Sequence, residues 1–399
     1  MSSHTSEAVV ICGAGIAGLS VAYQLAVVHG RPVTVVDERP PLSLTSDKST
    51  EAYRNWWPGP GDAMVRLMNR SIDLLEQWAR ATDNGFHLNR RGYLYLTADP
   101  ARVPAYLEAA RATAALGAGE VRLHSGAAGE PAYQPHAADG FAGGPEGADL
   151  LLDQALIRRH FPYVSETVVA ALHARRAGWL SAQGLGIWFL EQVRAHGGRL
   201  SAARVTGVDV DDRGVSGVRL STGERLATRT FVDAAGPLVA EVAQLVGVDL
   251  PVYHERHIKL NFADAQGVVP REAPMLIWDD PQTVAWGEDE RAALAEDPAT
   301  RWLLEPLPGG VHMRPDGPAG SPIRLMLWDY HQAPVEPVVP APVDDEFFPE
   351  LVLRGLTTMV PGLRAYHGRA GKPVVDGGYY TKTRENRLLA GPLPVAGAF

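Results

Sequence analysis

The sequence predicts an α/β fold that opens on a buried, mainly parallel sheet, in a chain long enough for two to three domains. Three observations carry this. Val9–Cys12 and Val33–Asp37 are short apolar runs separated by a glycine-rich turn and a helix-like segment, the pattern of neighbouring parallel strands covered on both faces. A strand running into glycine returns far downstream, at residues 230–237. The length of 399 residues exceeds what one hydrophobic core usually serves.

Each element of the opening unit has a physical reason. The first run ends at Cys12, and Gly13-Ala14-Gly15-Ile16-Ala17-Gly18 follows. Residues 19–29 read as a helix with small or apolar Ala22, Leu25 and Ala26, stopped by Gly30 and Pro32. Asp37 closes the next strand, 24 positions after Gly13, near the separation of about 20 expected between glycine loop and acid in a dinucleotide fold. Gly13 permits the tight turn, Gly15 lets backbone approach a pyrophosphate, and Gly18 lets helix and strand close up. Free amides at Ile16 and Ala17, with the helix dipole, would stabilise phosphate charge. Asp37 would accept from ribose hydroxyls, with Glu38 and Arg39 beside it.

NAD and FAD share the ADP half, so this unit alone serves either. Its position at the start of the sequence and the return strand Thr230-Phe231-Val232-Asp233-Ala234-Ala235-Gly236-Pro237 favour FAD. Small residues at Ala235 and Gly236 would let backbone reach the cofactor without a side-chain clash.

Composition narrows the class. Hydrophobic residues are 46% and charged residues 21%, which excludes a disordered or coiled-coil chain. A net charge of −9 disfavours nucleic acid and anionic membranes as partners. The single cysteine, Cys12, suits a reducing compartment, and a cytoplasmic location is expected. Twenty uncharged residues from Val9 to Val28 match a membrane span in length. Glycines at 13, 15 and 18 interrupt them, so a strand–turn–helix is the better reading, and no membrane span is predicted.

Further segments bear a resemblance to a known family. The unit of residues 13–37, the loop Thr45-Ser46-Asp47-Lys48-Ser49-Thr50 and Arg90-Arg91-Gly92-Tyr93-Leu94-Tyr95-Leu96 carry it. So do Val205-Thr206-Gly207-Val208, residues 231–237 and Gly377-Gly378-Tyr379-Tyr380-Thr381-Lys382-Thr383. In this order the chain resembles the D-amino-acid oxidase and sarcosine/glycine oxidase family of FAD-dependent oxidoreductases. The resemblance implies an FAD-binding Rossmann-like domain with an inserted α+β substrate domain built on an antiparallel sheet. It also implies oxidation of a C–N bond of an amine or amino acid by hydride transfer to flavin N5. Residues 1–85, 151–250 and 373–399 would form the FAD domain, and 86–150 with 251–372 the substrate domain. Alternatives are flavin oxidation of another small metabolite, a non-catalytic flavin-binding subunit, and an NAD-binding dehydrogenase.

Within that frame a helix is expected over 184–196, strands over 203–210 and 217–220, an acidic helical stretch in 280–304 and a surface connection at 334–342. Lys48 and Ser49 match positions where the family places donors against flavin or pyrophosphate, and Val205 lies in a matching segment. Arg54, in Tyr53-Arg54-Asn55-Trp56-Trp57-Pro58-Gly59, aligns approximately with a family arginine near flavin and substrate carboxylate. Such a guanidinium makes two parallel hydrogen bonds to a carboxylate, and Trp56 and Trp57 would wall a dry pocket beside it.

Lys259 sits on a strand where an ammonium could stabilise developing negative charge or activate oxygen, against the plainer reading of a strand-edge lysine in water. Tyr330 is the third catalytic candidate, with Arg314, Trp328 and His331 as further pocket residues. No metal set is predicted: His254-Glu255-Arg256-His257 lacks the spacing of H-E-x-x-H and reads as strand-edge histidines.

Two departures from the family stand out. Sarcosine oxidases hold flavin covalently through a cysteine where this chain has Gly378, so non-covalent FAD is expected. The family also continues beyond the segment matching residues 386–392 into a strand, a glycine-rich turn and a helix facing the flavin. The sequence stops at Phe399 as that strand begins, which reads as truncation or as loss of part of the site, with an apolar edge left open.

Overall fold

A computed structural model describes residues 7–318, 320–330, 333–343 and 347–399. Four parallel strands form the first sheet in the order Phe231–Asp233, Val9–Cys12, Val33–Asp37, Arg199–Ala202. Their burial explains their composition. Val9, Ile11, Val33 and Val35 face a core shared with Leu19, Ala22, Phe189 and Val193 from two helices, Ile16–Tyr23 and Ala182–Ala195. Val10, Cys12, Val36 and Phe231 face the opposite way, onto Val205, Val208, Val215 and Val218 of a three-stranded antiparallel layer. With both faces covered, the strands have no polar side to show, and they read as continuous apolar runs. Among the described residues no helix is long and apolar enough to cross a membrane. The uncharged stretch 9–28 is instead strand, turn, helix and a closing π-turn over Gln24–Val28.

Ala398 pairs in parallel with Phe231, and Phe399 exchanges bonds with the same edge. Its N–H donates to the Phe231 carbonyl at 3.0 Å, and its carbonyl accepts from the Asp233 N–H at 2.8 Å. Residues 398 and 399 are therefore hydrogen-bonded to that edge strand.

The second sheet has nine strands. Their order is Val374–Thr383, Val252–Ala263, Ile323–Leu327, Val311–Pro315, Met275–Trp278, Tyr93–Thr97, Ala170–Ala174, Ala148–Leu151, Val121–His124. It is mixed rather than antiparallel: Met275–Trp278 runs parallel to Tyr93–Thr97, and Val121–His124 parallel to Ala148–Leu151. It also takes in Ala170–Ala174 and Val374–Thr383, which the sequence reading gave to the nucleotide domain. Alternating short strands look alike whichever sheet they join, so those two boundaries were set by segment order alone.

Side-chain alternation gives this sheet two unlike faces. Leu94, Leu96, Ile258, Leu260, Phe262, Leu276, Met313 and Met326 point to one side, where the helix Phe348–Met359 covers them. The residues between them, including Tyr93, Tyr95, His257, Lys259, His312 and Arg314, point to the other side, toward the segment that follows Asp37. Helix and strands expected within 184–220 are present as Ala182–Ala195, Val205–Asp211 and Gly214–Leu220. The acidic stretch holds the exposed helix Glu288–Glu296.

Candidate active site

The glycine turn is built mostly from backbone. Gly13 has φ +106°, and a Cβ there would overlap the Ala234 carbonyl, because the return strand arrives directly against it. A Cβ on Gly18 would overlap the Gly13 carbonyl oxygen. Gly15 differs: its nearest neighbour would be the Ser46 hydroxyl at 3.3 Å, so the fold itself tolerates a side chain there. Space kept open without an internal reason, at a helix start whose N-cap Gly15 has no side chain, suits a phosphate. Ile16 N–H donates to Ser46 Oγ at 3.0 Å, and Ala17 is exposed.

Asp37 is partly committed to the fold. Its Oδ2 accepts from Ala14 N–H at 2.8 Å and its Oδ1 from Arg39 N–H at 2.9 Å, which leaves further lone pairs for a ribose. Glu38 and Arg39 pair with each other at 3.0 Å near the surface. Val205 is buried beneath the strand ends, and Ala235 N–H donates to Asp233 Oδ1. Gly236 turns the chain with φ +60°. Burial pushes the Asp233 carboxyl up to about 7; its Oδ2 is enclosed with no hydrogen-bond partner, in register with Cys12. Burial, and then the charges of Asp233 and Asp37, raise the Cys12 thiol far above the usual range, so it is inert.

The loop of residues 45–50 joins this turn to the nine-stranded sheet. Lys48 Nζ bridges Asp47 and Asp376, each at 2.7 Å. Lys259 Nζ donates to the carbonyls of Asp47 at 2.8 Å and Ser49 at 3.2 Å. Burial holds the Lys259 ammonium below the ordinary lysine range, with Glu51 and Asp376 opposing. Lys259 is therefore buried on an inner strand, not at a wet edge. Arg314 is 1% exposed and fully engaged, by Thr50 carbonyl at 2.9 Å, Asp316 at 2.6 Å and Glu51 at 3.4 Å. It ties the loop to the sheet and has no free fork for a ligand.

Arg54 is the contrasting cation. It ends the short strand Ala52–Arg54, which pairs with Ala177–Trp179. Its Nε donates to the Trp56 carbonyl at 3.1 Å, and its guanidinium lies 4.1 Å from the Trp57 ring centre and 5.7 Å from that of Tyr93. Burial opposes its charge and the nearby phenols of Tyr95, Tyr93 and Tyr380 favour it, and the guanidinium stays cationic. Among the described residues Arg54 makes no ion pair. A half-buried guanidinium against aromatic rings and without an ion pair has the chemistry to take an anion.

Tyr330 is not brought to this place. Its ring packs with Trp302, Trp328 and Phe348 on the covered face of the sheet, and Trp328 donates to Pro308 there. Both point away because they share the parity of Met326, whereas Asp329 between them faces His257. His331 lies outside the described residues. His254 and His257 stand on a strand paired along its length with Val374–Thr383 and, from Lys259 on, with Ile323–Leu327 as well; His254 meets Thr381 and His257 meets Asp329. Sequence reasoning passed over Ser46, His257, Asp329 and Tyr380. Ser46 was visible as a hydroxyl in the quoted loop; the other three come together only through strand register.

A parallel sheet with a glycine turn at its strand ends, tied to a mixed sheet with a charged face, is a framework that dinucleotide-dependent oxidoreductases use. The profile described as "DAO: FAD dependent oxidoreductase" matches residues 8–287, and the chain belongs to that family. No curated protein matches by sequence. Solved structures share the fold at low identity. L-proline dehydrogenase from P. horikoshii superposes with TM-score 0.72 at 17% identity, over 98% of this chain and 86% of that one. Glycine oxidase from Bacillus cereus gives 0.70 at 15%, over 98% and 88%. Iminodiacetate oxidase from Chelativorans sp. gives 0.67 at 18%, over 98% and 88%.

Proposed function

We propose that this flavoenzyme oxidises the C–N bond of a small amine that carries a carboxylate, an amino acid in the broad sense. The observation that supports it is Arg54: half-buried, cationic, set against the rings of Trp57 and Tyr93, and without an ion pair among the described residues. The solved relatives named above act, by their descriptions, on proline, glycine and iminodiacetate, all of which fit that demand.

The residues present fit FAD. Gly13, Gly15, Ile16, Ala17 and Gly18 would take the pyrophosphate, Asp37 the ribose, and Val205, Ala235 and Gly236 would line the return strand. Bound FAD supplies the acceptor for a hydride from the substrate carbon. Arg54 would fix the carboxylate and so aim the adjacent C–H bond, the aromatic walls would exclude water, and Lys259 would contribute positive charge beside the loop of residues 45–50. The loss of hydride leaves an imine, which water hydrolyses. FAD is held without a covalent bond in this reading, since Gly378 offers no nucleophile and Cys12 is buried in the first strand.

The test uses FAD-loaded protein under anaerobic conditions. Amino acids are expected to bleach the flavin, while their amides and decarboxylated analogues do so at least 100-fold more slowly. Equal bleaching by the analogues would overturn the carboxylate assignment.

A further inference from the structure

An amine gives up a hydride readily only when its nitrogen is neutral, yet an amino acid arrives as an ammonium near neutral pH. Some group must take that proton. Lys259 is a poor acceptor, because its ammonium already spends its hydrogens on the carbonyls of Asp47 and Ser49. Arg54 is a fixed cation. The same face of the sheet holds two imidazoles, His257 and His312, and His257 has a carboxylate within 2.7 Å.

His257 lies two residues before Lys259 on the strand Val252–Ala263, so both side chains point to the site. Its Nδ1 is 2.7 Å from Asp329 Oδ1, enclosed and off the ideal hydrogen-bond line. The carboxylate favours the tautomer with the proton on Nδ1, which leaves the Nε2 lone pair as the acceptor. Nε2 stands 3.5 Å from Glu255 Oε2, beyond a good hydrogen bond, and Glu255 is held instead by Lys382 Nζ at 2.6 Å. The imidazole side chain keeps 9% of its surface exposed, away from the enclosed Nδ1. Tyr380 stacks on the ring at 3.8 Å between centres and belongs also to the phenols around Arg54. His312, from the strand Val311–Pro315, completes the titratable surroundings and is kept neutral by burial. Tyr380 thus stacks on His257 and lies within electrostatic reach of Arg54.

We propose that His257, paired with Asp329, is the catalytic base that accepts the substrate ammonium proton before the C–H bond breaks. This rests on the carboxylate reading of Arg54. In the step an N–H bond of the ammonium breaks, its electron pair stays on nitrogen, and a new N–H bond forms on Nε2. Imidazole becomes imidazolium facing the Asp329 carboxylate, and nothing is oxidised or reduced. The free amine then loses its hydride, and the imidazolium proton passes to water.

Two measurements test this. In FAD-loaded protein labelled with ¹⁵N-histidine, α-aminoisobutyrate, which has no C–H bond next to nitrogen, is expected to move the His257 resonances to imidazolium values. Isobutyrate, which lacks the amine, is expected to bind and leave them neutral, with the H257Q spectrum providing the assignment. In rapid anaerobic reduction, H257Q is expected to lose about 100-fold at neutral pH and to recover as pH approaches the range of the free amine, with D329N shifted the same way by about tenfold. Binding of both probes with no change at His257, or an acid limb of the rate unmoved in H257Q, would overturn the proposal while leaving Arg54 intact. Failure of either probe to bind, or equal binding to R54M, would instead overturn the carboxylate reading.

Discussion

The glycine turn and the charged sheet face solve opposite problems with opposite materials. At the turn almost every distance is set by main chain: Gly13 against Ala234, Gly18 against Gly13, Asp37 against two amides. On the sheet face the geometry is held by side chains from segments far apart in sequence, such as Lys48 on Asp376 and His257 on Asp329. A backbone site fails when a methyl group is added, and a side-chain site fails when a charge is removed. That asymmetry orders the expected effects of mutation.

The largest falls on Gly18→Val, whose side chain would meet the Gly13 carbonyl. We expect a loss of several kcal/mol and protein purified without flavin, read from its melting curve and visible absorbance. Gly15→Ala sharpens the point, because only the Ser46 hydroxyl is near at 3.3 Å. It should melt within about 1 kcal/mol of wild type yet bind FAD markedly more weakly; unchanged flavin affinity would remove the phosphate reading of that space.

On the sheet side, Arg54→Met should keep its flavin and lose on the order of 10²–10³ in kcat/KM for carboxylate-bearing amines, about 3–4 kcal/mol. Loss of flavin together with activity would place Arg54 in the fold rather than the site. Asp233 offers a pH test between the two regions. Its carboxyl is pushed up to about 7 by burial from an ordinary value of 3.8, so the folded state holds a proton that the unfolded state releases. Its contribution is fully present below 3.8 and is lost as pH rises through 7. Thermal melting of Asp233→Asn should therefore gain on wild type between pH 4 and 7 and stay level above that. The smallest effect belongs to Gly378→Ala: its Cβ would lie 3.1 Å from Lys48 Cβ, costing about 1 kcal/mol or less. In both proteins acid denaturation should release all the yellow colour, and colour retained in the wild-type pellet would contradict non-covalent binding.

The same asymmetry explains what a single sequence discloses. Strand, turn, helix, second strand and acid lie within residues 9–37, so their spacing is local and legible in the sequence. Arg54 was visible through its aromatic neighbours and its place in an aligned segment. The sheet face depends on parity and register, which composition does not encode. Trp328, Asp329 and Tyr330 are consecutive, and it is the middle residue that faces the site. Shifting the parity by one residue would exchange their roles, and nothing in the local pattern says which way it falls. Lys259 read as a strand-edge residue because its partners are main-chain carbonyls more than 200 positions away.

The loop of residues 45–50 touches both regions at once. Ser46 caps the first amide of the opening helix, Thr45 Oγ1 donates to the Tyr379 carbonyl, and the carbonyls of Asp47, Ser49 and Thr50 receive Lys259 and Arg314. Six residues thus act as a common strut between the glycine turn and the charged sheet face. Slack introduced at Lys259 would be felt at the start of the opening helix, and a disturbance of that turn would be felt on the sheet.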